Sequence, residues 1–283
     1  MRAKKSFIAK RSLGQNFLRD EKILKKIADF AQIKNTDTVV EVGPGEGTLT
    51  ELLLERAAKV IAIEKDEGLA EKLKERFKDG KKEKLEIINK DVLRIPDEFF
   101  LIFFEEKSAK REKNSSGSWN CGYKLVGNIP YYITGALFKK FLQSENQPKS
   151  ITFVVQKEVA ERIMAKDGKE SLLSISIKVY GKPEYGGIIK AGSFNPKPKV
   201  DSAIIAIRNI NKERFKDGKI TEERFFEILK KGFAHKRKLL IKNLGAKKEI
   251  FDKCEIPEKA RAENLKIEDW ICLTKELSLK FSP

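Results

Sequence analysis

The 283-residue sequence is poor in the residues that most often hold metals or cross-link a chain, since it has one histidine and three cysteines. The histidine is His235, and the cysteines are Cys121, Cys254 and Cys272, with no C-x-x-C spacing among them. An odd number of scattered cysteines argues against a zinc site or a disulfide framework. We therefore expect no metal site, no catalytic histidine and three reduced thiols, as in a cytosolic protein.

Long apolar runs are also missing. The longest, residues 99–104, is far shorter than the roughly 20 residues that a membrane-spanning helix needs. The basic residues near the N-terminus are not followed by the apolar segment of a signal peptide. These absences predict a cytoplasmic protein that does not act in a membrane.

Positive charge, by contrast, is abundant, with 59 Lys and Arg against 42 Asp and Glu for a net charge of +17. Residues 230–248, here called the basic segment, contain eight Lys or Arg and no acidic residue. Such a balance suits a polyanionic partner, although a lysine-rich soluble surface would give the same composition. Hydrophobic residues make up 40% of the chain, enough for a sizeable core.

Strand and helix patterns alternate along the first part of the chain. Short β-branched runs predict strands, and apolar residues at helical spacing predict helices, the first with Asp20 as its N-cap. The predicted strands are 38–42, 60–63, 85–88, 124–127 and 151–155, and the predicted helices are 20–33, 47–57, 66–78 and 134–142. This order predicts a parallel sheet with helices on both faces, the α/β Rossmann-like class.

The pattern changes at two places. Residues 97–123 are rich in charge and serine and predict an exposed loop insertion. Residues 172–210 have strand-like patterns, including 172–180, and after residue 211 the pattern is helical. We therefore predict a larger domain over 1–210 and a small all-α domain over 211–283, with helices at 221–234, 238–250 and 264–278.

Glycines follow the first predicted strand in the sequence Glu41-Val-Gly43-Pro-Gly-Glu-Gly47. At the carboxyl end of a parallel strand, glycines let the backbone approach a ligand, although a tight strand-to-helix turn also explains them. Glu64 ends the next strand, where a carboxylate can accept hydrogen bonds from ribose hydroxyls, and Asp91 follows the third. The three features together outline a nucleoside site. The G-x-G-x-G spacing differs from that of dinucleotide-binding loops. The absence of a second phosphate-cradling feature favours S-adenosyl-L-methionine over a dinucleotide.

The sequence Asn128-Ile129-Pro130-Tyr131 ends the fourth predicted strand. The Asn128 side-chain oxygen and the Ile129 carbonyl can accept both N–H bonds of an exocyclic amine on adenine. Pro130 stiffens the turn, and Tyr131 offers a face for stacking a flipped base. A simple Asn-x-Pro turn is the alternative interpretation.

The chain resembles the small-subunit ribosomal RNA adenine N6,N6-dimethyltransferases. The resemblance rests on four segments in family order: residues 12–18 (SLGQNFL), 128–131 (NIPY), 156–162 (QKEVAER) and 194–203 (FNPKPKVDSA). It implies a Rossmann-like methyltransferase domain and a small helical domain. The implied activity is dimethylation of two adjacent adenosines near the 3′ end of 16S ribosomal RNA, during maturation of the small subunit.

The resemblance also implies roles for individual residues. The implied cofactor contacts are Asn16, Leu18, Gly43, Glu64, Asp91 and Asn128. Phe194 would stack on the target adenine opposite Tyr131, completing a catalytic set with Asn128, Ile129 and Pro130. Taken alone, without the motif, Phe194 is typical of a core aromatic. Lys236, Arg237 and Lys238 would bind RNA, and the expected partner is ribosomal RNA or the immature small subunit, bound by a monomer. The sequence departs from the family at residues 235–239, usually paired arginines before Lys-x-Leu, and in the length of the 97–123 loop.

Three other interpretations remain open. A large-subunit ribosomal RNA methyltransferase of the macrolide-resistance type shares the Asn-x-Pro-Tyr pattern. A non-catalytic RNA-binding factor could use the same fold, but the intact set of Gly43, Glu64, Asp91 and Asn128 argues against loss of the cofactor. A nicotinamide-dependent oxidoreductase is disfavoured by the glycine spacing and the basic charge.

Overall fold

The structure is a computed structural model that describes residues 14–79, 83–100, 122–218 and 220–279. The strands are β1 (Phe17–Leu18), β2 (Thr38–Val42), β3 (Lys59–Glu64), β4 (Leu85–Asn89), β5 (Tyr123–Asn128), β6 (Ser150–Gln156), β7 (Lys182–Ile189), β8 (Phe194–Asn195) and β9 (Ser202–Arg208). The helices are α1 (Glu21–Phe30), α2 (Thr48–Arg56), α3 (Glu67–Arg76), α4 (Thr134–Gln143), α5 (Lys157–Met164), α6 (Leu172–Lys178), α7 (Glu222–Phe233), α8 (Leu240–Leu244), α9 (Lys248–Lys253) and α10 (Ile267–Leu279).

The chain divides into two compact units. The first combines Met1–Lys157 with Tyr185–Ala206, and the second combines Glu158–Glu184 with Ile207–Pro283. In this division Glu158–Glu184 groups with the helical residues after Ile207, whereas the sequence pattern predicted a single boundary near residue 210. Within that unit, the Tyr180 ring stacks on Phe226 of α7 with centroids 6.1 Å apart, so residues distant in sequence share one core.

A mostly parallel sheet forms the centre of the first unit. Among the described residues its strand order is β4-β3-β2-β5-β6-β9-β7. β2 lies between β3 and β5, parallel to both, with Val40 opposite Ile61 on one side and Leu125 on the other. These positions are fully buried, which explains the continuous apolar runs in the sequence. The carboxyl ends of β2, β3, β4 and β5 therefore meet at one edge.

Two helices of this unit, α1 and α3, begin at an aspartate whose side chain caps them. Asp20, predicted as an N-cap, accepts hydrogen bonds from the backbone N–H groups of Lys22 and Ile23. Asp66 caps α3 in the same way through Leu69. A carboxylate that accepts N–H groups in the first turn also stabilises the positive end of the helix dipole. The predicted helices at 20–33, 47–57, 66–78 and 134–142 thus correspond to α1–α4.

Two parts of the predicted secondary structure were wrong. Residues 172–180 were predicted as strand-like but contain the helix α6, whose N-cap Ser171 forms a reciprocal capping box with Ser174. The cap and the burial of Ile175 and Ile177 outweigh the β propensity of this isoleucine-rich run. Residues 238–250, predicted as one helix, form α8 and α9, because Gly245 ends α8 with a left-handed backbone at φ 63°.

The predicted state of the cysteines also needs correction. Cys254 and Cys272 form a disulfide, with their Cα atoms 5.8 Å apart. Their positions in the sequence differ by 18, and packing of α9 against α10 brings them together. Sequence spacing gave no sign of this pairing. Cys121, like most of the predicted 97–123 loop, lies outside the described residues.

No helix in the described ranges is both long and apolar enough to cross a membrane.

In the second unit, the fully buried Trp270 of α10 lies against α7. Its ring stacks on Phe233 with centroids 5.4 Å apart. Gly232 lies beneath the indole, where an added Cβ would lie 2.4 Å from Trp270 Cη2 and 2.9 Å from Leu240 Cδ1. The glycine therefore allows α7 and α10 to approach closely, despite its poor helix propensity.

We expect Gly232→Ala to lower the free energy of unfolding by about 1–3 kcal/mol, because the overlap with Trp270 outweighs the propensity gained. Gly135→Ala is a matched control, since Gly135 also lies in a helix but has no atom within 4 Å of an added Cβ. It should be neutral or stabilise by up to about 1 kcal/mol. Chemical denaturation followed by circular dichroism measures both. Equal effects of the two changes would contradict this account of the α7–α10 contact.

Candidate active site

A cavity opens at the edge where the parallel strands end. Its walls come from residues 14–18, here called the N-terminal segment, and from the loop after β2, the ends of β3 and β5, and the turn after β4. The lining residues are Gly14–Leu18, Leu24, Glu41–Glu46, Thr48, Leu49, Ile63–Lys65, Leu69, Lys90–Leu93 and Asn128–Ile133. Open α/β sheets bind ligands at this position. The six predicted cofactor residues all line the cavity, although they are far apart in sequence.

The glycine loop after β2 forms the floor of the cavity. Its backbone returns to the sheet where the Gly43 N–H donates to the Ile63 carbonyl at 3.0 Å. Gly45 has φ 59°, and an added Cβ would lie 3.0 Å from the Phe17 ring. A side chain at Gly45 would therefore both strain the backbone and push the N-terminal segment away.

Glu64 ties this loop to the end of β3. Its carboxylate accepts the Gly45 N–H at 3.1 Å and the Asp66 N–H at 2.8 Å. Burial raises the pKa of Glu64, and these two hydrogen bonds oppose the shift. Each oxygen keeps a lone pair that can accept a further hydrogen bond.

Asp91 also lines the cavity, in the turn after β4. It accepts the Leu93 N–H at 3.1 Å and pairs with Lys65 at 3.0 Å. Burial alone would raise the pKa of Asp91, but the hydrogen bonds and charge of Lys65 outweigh it, so the pKa is lowered. The carboxylate is thus anionic and held in a fixed position beside the cavity.

At the end of β5, Asn128 is oriented by the N-terminal segment. Its Nδ2 atom donates to the Asn16 carbonyl at 2.9 Å, which leaves Oδ1 as the atom able to accept a hydrogen bond. Gly127 allows the close approach of β5 to β2, since an added Cβ there would lie 2.6 Å from the Val42 carbonyl oxygen. Leu18, the last residue of this segment, is almost fully buried and anchors the segment in the core.

Tyr131 follows in a 3-10 turn, half-buried, with its hydroxyl 2.6 Å from Ser202 Oγ on β9. This bond fixes the ring beside the cavity, and burial raises the pKa of the phenol. The sequence gave Ser202 no separate role, and it also gave none to Tyr132, whose ring is 62% exposed at the cavity mouth. The doubled tyrosine is the signal that could have identified Tyr132.

The structure does not bring Phe194 to the cavity. Phe194 is 4% exposed and belongs to the hydrophobic core that also contains Leu18 and Leu24. Its strand β8 pairs with β1, so Leu18 lies opposite Phe194. In this conformation Phe194 supports the N-terminal segment, and its predicted stacking on a base would require the ring to move.

The predicted RNA-binding residues lie in the second unit. Lys236, Arg237 and Lys238 are exposed, and no ion pair to them occurs within the described residues. Arg237, Lys238 and Lys242 border a surface depression with His235. This part of the basic segment is available to an anionic partner.

Sequence analysis missed Glu41, which lies near the end of β2 and lines the cavity. It is 1% exposed, and its Oε2 atom has no hydrogen-bond partner among the described residues. Burial raises the pKa of Glu41 to about 8, the nearby Thr50 side chain opposes the shift, and the charge of Glu64 adds to it. An acidic residue inside an otherwise apolar strand is the sequence signal that marks it.

Because its folded pKa of about 8 exceeds the ordinary 4.5, Glu41 is protonated in the folded protein and ionised in the unfolded chain between these values. Glu41 therefore lowers the free energy of unfolding by an amount that grows as the pH rises from about 4.5 to about 8 and stays constant above about pH 8. We expect Glu41→Gln to stabilise the protein by on the order of 3 kcal/mol at pH 7 and by little near pH 4. Thermal unfolding across this range measures the difference, and a gain independent of pH would contradict a neutral Glu41.

Within the described residues, no group of three or more His, Cys, Asp and Glu could hold a metal ion.

Comparison with known proteins agrees with the site. The family described as "Ribosomal RNA adenine dimethylase" matches residues 6–279. A ribosomal RNA small subunit methyltransferase A from Dehalococcoides mccartyi is 39% identical over 282 residues, covering 97% of this chain and 89% of the relative. One from Fusobacterium nucleatum is 37% identical over 278 residues, covering 95% and 97%.

Solved structures agree as well. A dimethyladenosine transferase from Plasmodium falciparum is 26% identical with a TM-score of 0.71, covering 93% of this chain and 98% of that one. The 23S rRNA methyltransferase ErmE is also 26% identical, with a TM-score of 0.69 and coverage of 93% and 100%. These similarities confirm the predicted Rossmann-like fold class. With a family match that spans nearly the whole chain and a cavity lined by the motif residues, this protein belongs to the ribosomal RNA adenine dimethylase family.

Proposed function

We propose that this protein uses S-adenosyl-L-methionine to dimethylate N6 of two adjacent adenosines near the 3′ end of small-subunit ribosomal RNA. The observation that carries the proposal is Asn128, whose Nδ2 is occupied by Asn16 so that Oδ1 is the acceptor at the cavity. Relatives named ribosomal RNA small subunit methyltransferase A support the substrate, at 37–39% identity.

The residues of the cavity fit the cofactor. Gly43 and Asn16 lie where the backbone can approach it, Glu64 has oxygens for ribose hydroxyls, and Asp91 presents a fixed carboxylate. The partnerless oxygen of buried Glu41 suits a cationic ligand better than an anionic dinucleotide. When bound, S-adenosyl-L-methionine supplies an electrophilic methyl group on a sulfonium centre.

The protein's part in the reaction is positioning and electrostatics. The Asn128 Oδ1 atom and the Ile129 carbonyl accept the two N–H bonds of the adenine amine, which directs its lone pair. Asn128 cannot take up a proton at neutral pH, so the proton leaves to water. Pro130 shapes the turn that brings these acceptors together.

Tyr131 is the stacking platform for the flipped adenine. Its hydroxyl bond to Ser202 holds the ring without occupying its face. A base stacked on an aromatic side chain gains about 1–3 kcal/mol. Phe194 becomes a second platform only if it leaves the core, so Tyr131 carries this role.

RNA docks on the basic segment in this proposal. The exposed Lys236, Arg237 and Lys238 bind phosphates, which positions the RNA without selecting its sequence. We propose that the enzyme acts as a cytoplasmic monomer on ribosomal RNA within the immature small subunit.

A second candidate is methylation of large-subunit RNA, which the similarity to the 23S rRNA methyltransferase ErmE favours. The lower identity, 26% against 39%, makes it the weaker candidate. Incubation with each ribosomal RNA and labelled cofactor, followed by mass spectrometry of the nucleosides, separates the two. Dimethyladenosine in large-subunit RNA alone would overturn the small-subunit assignment.

For the chemical step, we expect Asn128→Ala to slow methyl transfer severely with little change in RNA affinity. Tyr131→Ala should slow it roughly 5- to 150-fold, the equivalent of about 1–3 kcal/mol of stacking. Tyr131→Phe keeps the ring and should retain most activity, as should Ser202→Ala, which removes only the anchor of the hydroxyl. Single-turnover methylation at saturating RNA and cofactor measures all four. If Tyr131→Phe is as damaged as Tyr131→Ala, the stacking account is wrong.

For RNA docking, we expect Lys236, Arg237 and Lys238 changed together to Ala to weaken binding. The slope of the logarithm of the binding constant against the logarithm of the salt concentration should become less steep by about 2 to 3. Each phosphate contact contributes about 0.7–0.9 to this slope. Changing the exposed Lys253, Lys259 and Lys266 of the same unit to Ala removes the same charge elsewhere and is the matched control. Binding titrations at several salt concentrations measure the slopes. Equal slopes for the two triple variants would show that only net charge matters.

A further inference from the structure

The carboxyl group of Glu41 occupies an unusual place in the cavity wall. It is buried, it faces a cavity, and its Oε2 atom has no hydrogen-bond partner among the described residues. Glu41 pairs with Ala62 on β3, and a second buried acid, Glu64, ends the same strand two residues later. The Thr50 hydroxyl of α2 is also close enough to influence Glu41, and its Oγ1 lacks a partner among the described residues. No lysine or arginine of the described ranges forms an ion pair with Glu41.

The other charged side chains of the cavity have partners elsewhere. The contacts are Glu46 with Arg19 at 2.8 Å, Lys65 with Asp91 at 3.0 Å, and Lys90 over the Phe99 ring at 5.3 Å. None of them neutralises Glu41. A buried carboxylate without a cation is costly, so the group remains protonated instead.

When two buried acids interact, the ionisation of one makes the ionisation of the other less favourable, so the pair loses its protons in two steps. Glu64 accepts two backbone N–H bonds, which favour its ionised form, whereas no hydrogen bond of normal geometry reaches Glu41 Oε2. The proton therefore resides on Glu41. Because Glu64 is already ionised, Glu41 is the acid whose protonation changes when a positive charge enters the cavity.

We propose that Glu41 is the counter-ion of the cofactor, releasing its proton to solvent when S-adenosyl-L-methionine, which carries a sulfonium and an ammonium group, binds in this cavity. The step breaks the carboxyl O–H bond and leaves a carboxylate against the incoming cation, with no other reactant. The inference rests on the proposed function and adds a linkage between cofactor binding and pH. In this proposal Glu41 contacts the cofactor directly and has no contact with the target adenine.

Because binding releases a proton, the affinity for the cofactor should increase as the pH rises. With a pKa of about 8 before binding, Glu41 is about 90% protonated at pH 7, so binding should release about 0.9 proton. Affinity should rise about tenfold per pH unit up to about pH 8, and then level off as the proton is no longer there to be displaced.

Isothermal titration calorimetry of the full-length protein with S-adenosyl-L-methionine tests this. Titrations at pH 7 in phosphate and in Tris, whose ionisation enthalpies differ, give the number of protons released. The α-amino group of the cofactor titrates near pH 8 itself. The test therefore compares the number of protons that wild type releases on binding with the number that Glu41→Gln releases. We expect wild type to release about 0.9 proton more than Glu41→Gln. Its affinity advantage over Glu41→Gln should grow about ninefold from pH 6 to 7 and about fivefold from pH 7 to 8.

Glu51→Gln is the matched control, because Glu51 lies on the adjacent helix α2, outside the cavity, and already pairs with Arg76 at 2.7 Å. It should release as many protons as wild type. Titration with S-adenosylhomocysteine, which has the ammonium but no sulfonium charge, identifies the cation: equal release assigns it to the ammonium, and lost release to the sulfonium.

Equal proton release by wild type and Glu41→Gln would overturn the inference, and so would an affinity ratio that does not change with pH. Thermal unfolding verifies that Glu41→Gln is folded. If wild type does not bind S-adenosyl-L-methionine at any pH, the proposed cofactor itself is wrong. Tight binding without a proton difference leaves the proposed function intact and removes only the role of Glu41.

Discussion

The parallel register of β2 with β3 and β5 is the constraint on which the site depends. It aligns the ends of three strands that are far apart in sequence, so that the glycine loop, Glu64 and Asn128 face one cavity. The two backbone bonds accepted by Glu64 then hold the loop against β3, and the Asn128–Asn16 bond brings the N-terminal segment across the opening. Each contact uses a polar group that would be unsatisfied at the end of a buried strand.

The electrostatics of the site follow from the same placement. Glu41, Glu64 and Asp91 differ in how many donors and cations reach them, and this difference sets their charge. Asp91 has a lysine partner, Glu64 has two backbone N–H groups, and Glu41 has neither. A cavity with one neutral and two hydrogen-bonded acids is suited to a cofactor that carries positive charge and hydroxyl groups.

The second unit has a core of its own and an exposed basic surface. Its small helices pack around Trp270, with Gly232 beneath the ring and a disulfide joining Cys254 to Cys272. This core leaves the lysines and arginine near residue 237 exposed, because the residues that bury their side chains are aromatic and aliphatic ones at helical spacing. Like charges are thereby held on one surface, where a polyanion can neutralise them.

Local pattern in the sequence was enough to predict the alternation of strands and helices, the Asp20 cap and the motif residues around Gly43, Glu64 and Asn128. These features depend on neighbours within a few residues, or on a motif whose spacing is fixed by chemistry. Where the outcome depends on contacts between distant segments, local pattern failed. It could not foresee the helix at residues 172–178 or the disulfide between Cys254 and Cys272. Nor could it show that Glu41 lacks a partner, because the charge of a buried acid is set by every element packed against it, and only the tertiary structure brings those elements together.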